Sequence, residues 1–326
     1  MADIYEIKRV CADATWDALV HKAIGATPFS TSAWLHCAAA ATPGEIQRLG
    51  VYRNNRLIAG LAGLARKRSG LYRLETPELT PHTGLLLAPV QSKGPAKAEA
   101  EQHRVCDLLI EYIEQNYDHV FAVHPPAITD MRPFIWRGWD TRLRYTYQMD
   151  LSDLDALFER VERRTRTVIR KAEKLGYALE QTDDVTLFRK LYETLYPDGR
   201  PPVAATVAER FVAAVLAAGL GRAYTIASPA GEIASIVVFV DGPDTSYAWA
   251  AGADPALNNT GATSALYWQY FTATKKKRFD FVGANIPAIA FFKRGFGGDL
   301  VPYYVSEGYK STWVKRAISA RRALLG

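Results

Sequence analysis

The chain has 326 residues, 48% of them apolar and 23% charged, with a formal net charge of +6. This is an ordinary globular composition, too long for one small domain and suited to two of about 150 residues each. The apolar run that ends at Val240 is of strand length, far short of a membrane span.

Residues 1–20 carry Asp3, Glu6, Asp13 and Asp17 and lack the apolar stretch of a secretory signal, so the expectation is a cytoplasmic protein. Cys11, Cys37 and Cys106 are scattered, odd in number and free of any C-x-x-C spacing. They read as reduced thiols, and no ligand cluster suggests a metal. The charge is uneven: residues 1–150 hold 17 Lys+Arg against 16 Asp+Glu, and residues 151–326 hold 23 against 18. All six histidines (His21, His36, His82, His103, His119 and His124) lie in the first half, so chemistry in the second half must proceed without an imidazole of its own.

In chain order, periodicity predicts helices at 13–22 and 30–41, strands at 46–53 and 56–66, and a long helix at 96–116. The strand His119–Val123 follows, then a short helix running into Arg137-Gly138-Trp139. A polar-alternating strand from Arg144 to Asp150 ends in Asp150-Leu151-Ser152-Asp153, which offers N-cap residues and places a domain boundary near 150. One helical stretch is expected over 153–175, then a strand at 177–181 and helices at 184–196 and 204–219. Three strands, at 222–228, 232–241 and 245–252, are joined by turns suited to hairpins. Helix 261–274, strand 279–283, helix 286–294 and two strands at 301–306 and 309–314 complete the order. The first half repeats much of this order, and Arg137-Gly138-Trp139 echoes Arg294-Gly295-Phe296, which points to a tandem duplication.

The second half resembles the FemAB-like branch of the GNAT (Gcn5-related N-acetyltransferase) superfamily. The resemblance rests on Thr165-Arg166-x-x-Ile169-Arg170-Lys171-Ala172-Glu173-Lys174-x-Gly176, on Ala265-Leu266-Tyr267-Trp268, and on Phe279-Asp280-Phe281-x-Gly283 followed by Phe292-Lys293-Arg294-Gly295-Phe296-Gly297. In the first half it is carried by Pro28-Phe29 with Trp34, and by Leu79-Thr80-Pro81 with Gly84. It implies an α/β (α+β) fold of two tandem GNAT-like domains, each a mixed, mostly antiparallel sheet flanked by helices. Residues 1–150 would form a degenerate domain on the acceptor side, and 151–326 the domain with the donor site. It also implies transfer of acyl or aminoacyl groups to amines, commonly on cell-envelope or polysaccharide precursors.

Residues 160–175 hold seven cations, Arg160, Arg163, Arg164, Arg166, Arg170, Lys171 and Lys174, against Glu162 and Glu173. Arginine outnumbers lysine five to two, which suits forked phosphate contacts, and Arg166 and Arg170 stand one turn apart. A solvated amphipathic face is the alternative. Asn258, Thr260, Gly261 and Ala262 precede the helix from 261, where the resemblance implies that backbone N–H groups hold the pyrophosphate of coenzyme A. Asn258 and Thr263 depart from the Gln/Arg-x-x-Gly-x-Gly/Ala pattern of that loop; an Asn-rich turn in which Thr260 caps the helix is the other reading.

Asn285, Ala288 and Phe292 follow the pattern Asn-x-x-Ala-x-x-aromatic-Tyr, with Phe292 where the resemblance implies a proton-donating tyrosine. A general-acid contribution on the order of 10²–10⁴ must then come from elsewhere or be absent. Lys293 and Asp280 are the candidate catalytic side chains. Lys293 would hold an anion or an oxyanion, with a solvated helix-end lysine as the alternative; Asp280 would be a base or half of an ion pair. His82, Tyr247, Trp268, Phe292 and Tyr304 are expected to line the cleft. The C-terminal cations Lys310, Lys315, Arg316, Arg321 and Arg322 suit an anionic lipid surface or a frayed, solubilising tail.

The expectation is therefore an N-acyltransferase with no tightly bound cofactor, taking acyl-CoA as co-substrate and an amine as acceptor. An aminoacyl-tRNA donor is one rival, and a non-catalytic nucleotide-sugar or polysaccharide-binding protein is another.

Overall fold

A computed structural model describes residues 3–90, 94–196 and 201–325. The chain divides into two compact units, Met1–Arg144 with Tyr303–Gly326, and Tyr145–Pro302. In order, the elements are β1 (Tyr5–Arg9), α1 (Asp13–Val20), α2 (Ser32–Ala41), β2 (Glu45–Arg53), β3 (Arg56–Arg68), β4 (Leu71–Glu75), β5 (Leu85–Leu87), α3 (Pro95–Asn116), β6 (His119–Val123), α4 (Arg132–Trp136) and β7 (Asp140–Asp150). Then come α5 (Leu154–Arg160), α6 (Arg163–Lys174), β8 (Ala178–Thr182), α7 (Val185–Thr194), α8 (Ala205–Ala217), β9 (Gly221–Ala227), β10 (Ile233–Asp241), β11 (Thr245–Ala253), α9 (Ala262–Ala273), β12 (Arg278–Asp280), α10 (Pro287–Arg294), β13 (Asp299–Tyr309) and α11 (Thr312–Leu325).

The first unit's sheet runs β1-β2-β3-β4-β6-β13, with β5 on β3. It is antiparallel except for β4 and β6, where Arg73, Leu74 and Glu75 face His119, Val120 and Phe121 in parallel. The second unit's sheet runs β7-β12-β11-β10-β9-β8, again with one parallel pair, β11 and β12. Each parallel pair is joined through a long helix, as a parallel crossover requires. The repeat extends to the last strand of each series. β7 follows the first unit's helix α4 and pairs with β12 of the second sheet from Gln148 to Asp150. β13 follows the second unit's helix α10 and pairs with β6 of the first sheet from Val305 to Tyr309.

Alternation sorts each sheet. In the second unit Phe239, Phe279 and Phe281 join Tyr267, Tyr270 and Phe271 of α9 in one aromatic core, with Phe239 stacked on Tyr270 at 3.5 Å. Trp249 meets Phe211 of α8 instead. Helix α6 lies against α9, and it does so at Gly261, whose φ of +82° and closeness to the Val168 carbonyl leave no room for a side chain.

Two sequence expectations are corrected. The helix expected over 153–175 is two helices, because Val161 and Glu162 take extended backbone (ψ 131° and 141°) between α5 and α6. The strands expected at 301–306 and 309–314 are one strand, β13, followed by α11. Ser311 Oγ accepts the Val314 amide at 3.3 Å and so starts that helix, while Val314 and Ile318 are buried.

Gly261→Ala forces a left-handed backbone on a residue with a Cβ and drives that Cβ onto the Val168 carbonyl. Urea unfolding should show a loss of about 2 kcal/mol or more; an unchanged midpoint would mean that α6 and α9 are not held at this crossing.

Candidate active site

The second unit's site begins where its parallel pair parts. Thr245, Ser246 and Tyr247 of β11 pair with Arg278, Phe279 and Asp280 of β12, and there the pairing ends. The chain leaving β12 follows β7, with the Phe281 amide on the Tyr147 carbonyl (3.0 Å) and the Ala284 amide on that of Tyr145 (2.6 Å). β11 runs on to Ala253 with no strand beside it on that side among the described residues. Its register against β10 shifts between Ala250 and Ala248, which leaves Trp249 as an extra, bulged residue. A strand edge that has lost its neighbour is a place where an extended ligand can add itself to the sheet.

The parting is built from polar side chains. Phe279 and Phe281 point into the aromatic core, so Asp280 points to the opposite face, in one cross-strand row with Tyr247 and Gln148. Asp280 is 2% exposed and its carboxylate accepts from Thr146 Oγ1 (2.6 Å), the Val282 amide (2.7 Å) and Gln148 Nε2 (2.8 Å). Thr146 also accepts the Gly283 amide at 3.1 Å. Burial raises the Asp280 carboxyl above the usual carboxylate range, against the lowering effect of these three donors and of nearby Lys293.

Lys293 donates to the carbonyls of Phe281 (2.7 Å), Gly283 (2.5 Å) and Val282 (3.4 Å). Those carbonyls converge because Val282 and Gly283 are both left-handed, at φ +55° and +86°. Burial pulls the Lys293 ammonium down to about 8, with Asp280 acting in the other direction. Asn285 accepts the Tyr145 amide at 2.9 Å and donates back to its carbonyl at 3.3 Å, so it fixes β7 to the start of α10. The Tyr247 phenol is pushed well above the usual tyrosine value by burial first and by the Asp280 charge second.

On the donor-loop side, a 3-10 turn over Pro255–Thr260 leads into α9. Thr260 Oγ1 donates to the Leu257 carbonyl (2.6 Å) and accepts the Ala262 amide (3.1 Å), while N-cap Gly261 has no side chain to offer the next amides. Lys171 crosses from α6 to the Asn259 carbonyl at 2.8 Å, which sets a cation at this helix N-terminus. Asn258, Thr260, Gly261 and Ala262 are thus gathered with Lys171. Arg166 and Arg170 lie elsewhere, over the Phe158 ring at 5.9 and 5.5 Å, and Phe158 in turn meets Trp268 at 4.7 Å. Phe292 packs on Tyr267 and Phe296.

His82 and Tyr304 belong to the first unit. His82 is buried beside Phe29 and Thr27, and burial drags its imidazole down to about 4. Tyr304 packs on the first unit's core and lines a cavity there. Sequence reasoning missed Thr146, Gln148 and Lys171. The polar alternation of Arg144–Asp150 was the available signal for the first two, but only the β7–β12 register shows which acid they serve. Among the C-terminal cations, Lys310 pairs with Asp118, Lys315 with Asp140 and Arg322 with Glu307, and Arg321 bonds Ser69. Among the described residues no group is placed to hold a metal ion, and no helix is long and apolar enough to cross a membrane.

Residues 159–294 match the family model described as an acetyltransferase (GNAT) domain. The second unit carries a GNAT domain. Three solved structures show the fold over nearly the whole chain. FemX is 12% identical with a TM-score of 0.68, covering 92% of this chain and 96% of that one. A tandem GNAT protein from the clavulanic acid biosynthesis pathway is 14% identical with a TM-score of 0.53, covering 94% and 99%. L-PGS from Bacillus licheniformis is 10% identical with a TM-score of 0.54, covering 96% and 95%. No curated protein sequence matches the chain. The FemAB-like GNAT resemblance, the tandem fold and the reading as an acyltransferase are borne out.

Because the Lys293 ammonium titrates near 8 in the folded GNAT domain and at its ordinary 10.5 when unfolded, the unfolded chain binds more protons between those values. Stability from this group is therefore lost as pH falls through about 8 and recovered above it. Urea titrations of wild type and Lys293→Met should show the wild type gaining on the variant from about pH 7 to about pH 9.5, at up to about 1.4 kcal/mol per unit. Parallel curves would show that Lys293 is not buried as described.

Proposed function

We propose that the GNAT domain moves an acyl group from acyl-CoA to an amine, with the thioester laid along the free edge of β11. The observation that carries this reading is the parted β11/β12 pair, with its bulge at Trp249, leading directly to a helix N-terminus that Lys171 attends. Extended pantetheine-like chains can pair with such an edge, and a pyrophosphate suits an uncapped helix start with a neighbouring cation. The amine nitrogen attacks the thioester carbonyl, the tetrahedral intermediate collapses, and the C–S bond breaks. The amine's proton leaves to solvent, and the departing thiolate takes one up.

Tyr247 supplies that second proton in our reading. Its phenol stays protonated across the neutral range, and it stands at the last paired position before the strands part. Phe292, packed between Tyr267 and Phe296, has no proton to give. Asp280 and Lys293 act as positioning residues: their hydrogen bonds go to the turn and to β7. The first unit is assigned the acceptor side. The FemAB-like resemblance favours an acceptor amine on a cell-envelope or polysaccharide precursor.

One observation favours a second donor. Arg163, Arg170 and Lys174 of α6 are exposed, a basic stripe that suits the backbone of an aminoacyl-tRNA. Calorimetric titration with acetyl-CoA and longer acyl-CoAs separates the two. Micromolar binding is expected, weakened about tenfold or more in Lys171→Ala, while Tyr247→Phe should keep the affinity and lose turnover on the order of 10²-fold. Absence of binding at every chain length, with tRNA affinity that falls steeply with salt, would transfer the assignment to the tRNA donor.

A further inference from the structure

The first unit holds a polar cavity that the transfer chemistry does not use. An open chamber of about 700 Å³ lies between the start of α3, the segment leading into α4, and Tyr304 of β13. A more enclosed lobe of about 160 Å³ shares Gln102, Thr129 and Asp130 with it. The larger volume falls in the range of roughly 300–1,000 Å³ typical of small-molecule sites.

Its wall is a set of planar polar groups held rigid by one another. Asp130 accepts from Arg132 Nε (2.9 Å), Arg132 Nη2 (2.7 Å), the Arg132 amide (3.0 Å) and His103 Nε2 (2.8 Å). Arg132 also reaches Glu99 at 3.1 Å. Next to this network stands Trp136, 66% exposed, its ring meeting His103 edge-on at 5.3 Å with the Arg132 guanidinium 5.7 Å away. A two-turn-or-shorter helix that holds a bare indole at the edge of a polar chamber is not explained by core packing, since Phe134 alone of α4's aromatic residues is buried.

The chemistry narrows the ligand. The Arg132 charge is already matched by two carboxylates, so a free phosphate would meet repulsion from Glu99 and Asp130. A bare acyl chain would strand the polar wall without partners. Hydroxyl groups satisfy both sides of it, because each can donate to a carboxylate and accept from an amide or guanidinium, and the C–H face of a pyranose suits an exposed indole. We propose that this cavity of the first unit is a carbohydrate-binding site, taking a sugar ring with Trp136 as its platform and Glu99, Gln102, Asp130 and Arg132 as its hydroxyl partners.

The test uses the full chain and three probes: glucosamine, N-acetylglucosamine and the N-acetylglucosamine trimer, followed by tryptophan emission and calorimetry. Saturable binding of at least one is expected, weakened about tenfold or more both in Trp136→Ala and in Gln102→Ala, with unchanged melting temperatures. The monomer and trimer arms distinguish a free sugar from a polysaccharide end. Titration of acyl-CoA into the same samples reads the GNAT domain separately, so failure of either reading leaves the other standing. Absence of binding by all three probes at about 10 mM, or affinity untouched by both substitutions, would overturn the proposal.

Discussion

Two buried charges of opposite sign set the course of the chain where β12 ends, and no ion pair joins them directly. The Asp280 carboxylate holds an amide of the turn and two side chains of β7; the Lys293 ammonium holds three carbonyls of the same turn. A direct pair would have left those backbone groups unsatisfied inside the fold, and each such orphan costs about 1–3 kcal/mol. Dividing the charges between the N–H and C=O groups of Phe281–Gly283 lets the backbone adopt two successive left-handed residues and swing from β11 to β7. The gap along β11 follows from that swing.

The first unit runs the same strand order to the opposite result. Beyond the parallel pair of β4 and β6, the Gly84 amide bonds the Val123 carbonyl at 2.9 Å and the Leu85 amide bonds His124 Nδ1 at 3.1 Å. The ring of His124 is wholly buried, its other nitrogen is taken by Ser306, and burial pushes it down to about 3, so it serves as a neutral acceptor. An imidazole thus stitches together the two strands that the second unit lets part. Duplication gave two frames with one topology, and the residue after the parallel pair decides which frame stays open: His124 in the first, the Phe281–Ala284 turn in the second.

Much of this was legible in the sequence because it rests on local patterns. The Phe279-Asp280-Phe281 alternation, the turns of the β9–β11 meander and the repeated helix-strand order all depend on neighbours in the chain, and all appear in the fold. What depends on register or on side-chain reach was not legible. Arg166 and Arg170 were the natural choice from charge and spacing, yet both lie over Phe158, while Lys171, one residue further round the helix, reaches the donor loop. Lys293 was legible as an important cation, but its ammonium turns back on its own turn, which no spacing rule shows. The C-terminal cations read as a tail, whereas the buried acid Glu307 draws in Arg322 and Arg142 and becomes visible only once β13 lies beside β6.

The absence of histidine from the second half of the chain constrains its proton chemistry more than any single motif does. A site without imidazole must draw on phenols, carboxyls and amines whose titration burial has moved, and the parting of β11 and β12 gathers one of each: Tyr247, Asp280 and Lys293. Two of the three are consumed by the backbone turn that creates the gap. That leaves the phenol, half-buried and on the same face as the acid that raises it, as the group still able to meet a substrate. With phenylalanine at 292, the proton donor moves from helix α10 to strand β11, and it stays aligned with the strand edge only while Asp280 and Lys293 hold the neighbouring turn in place.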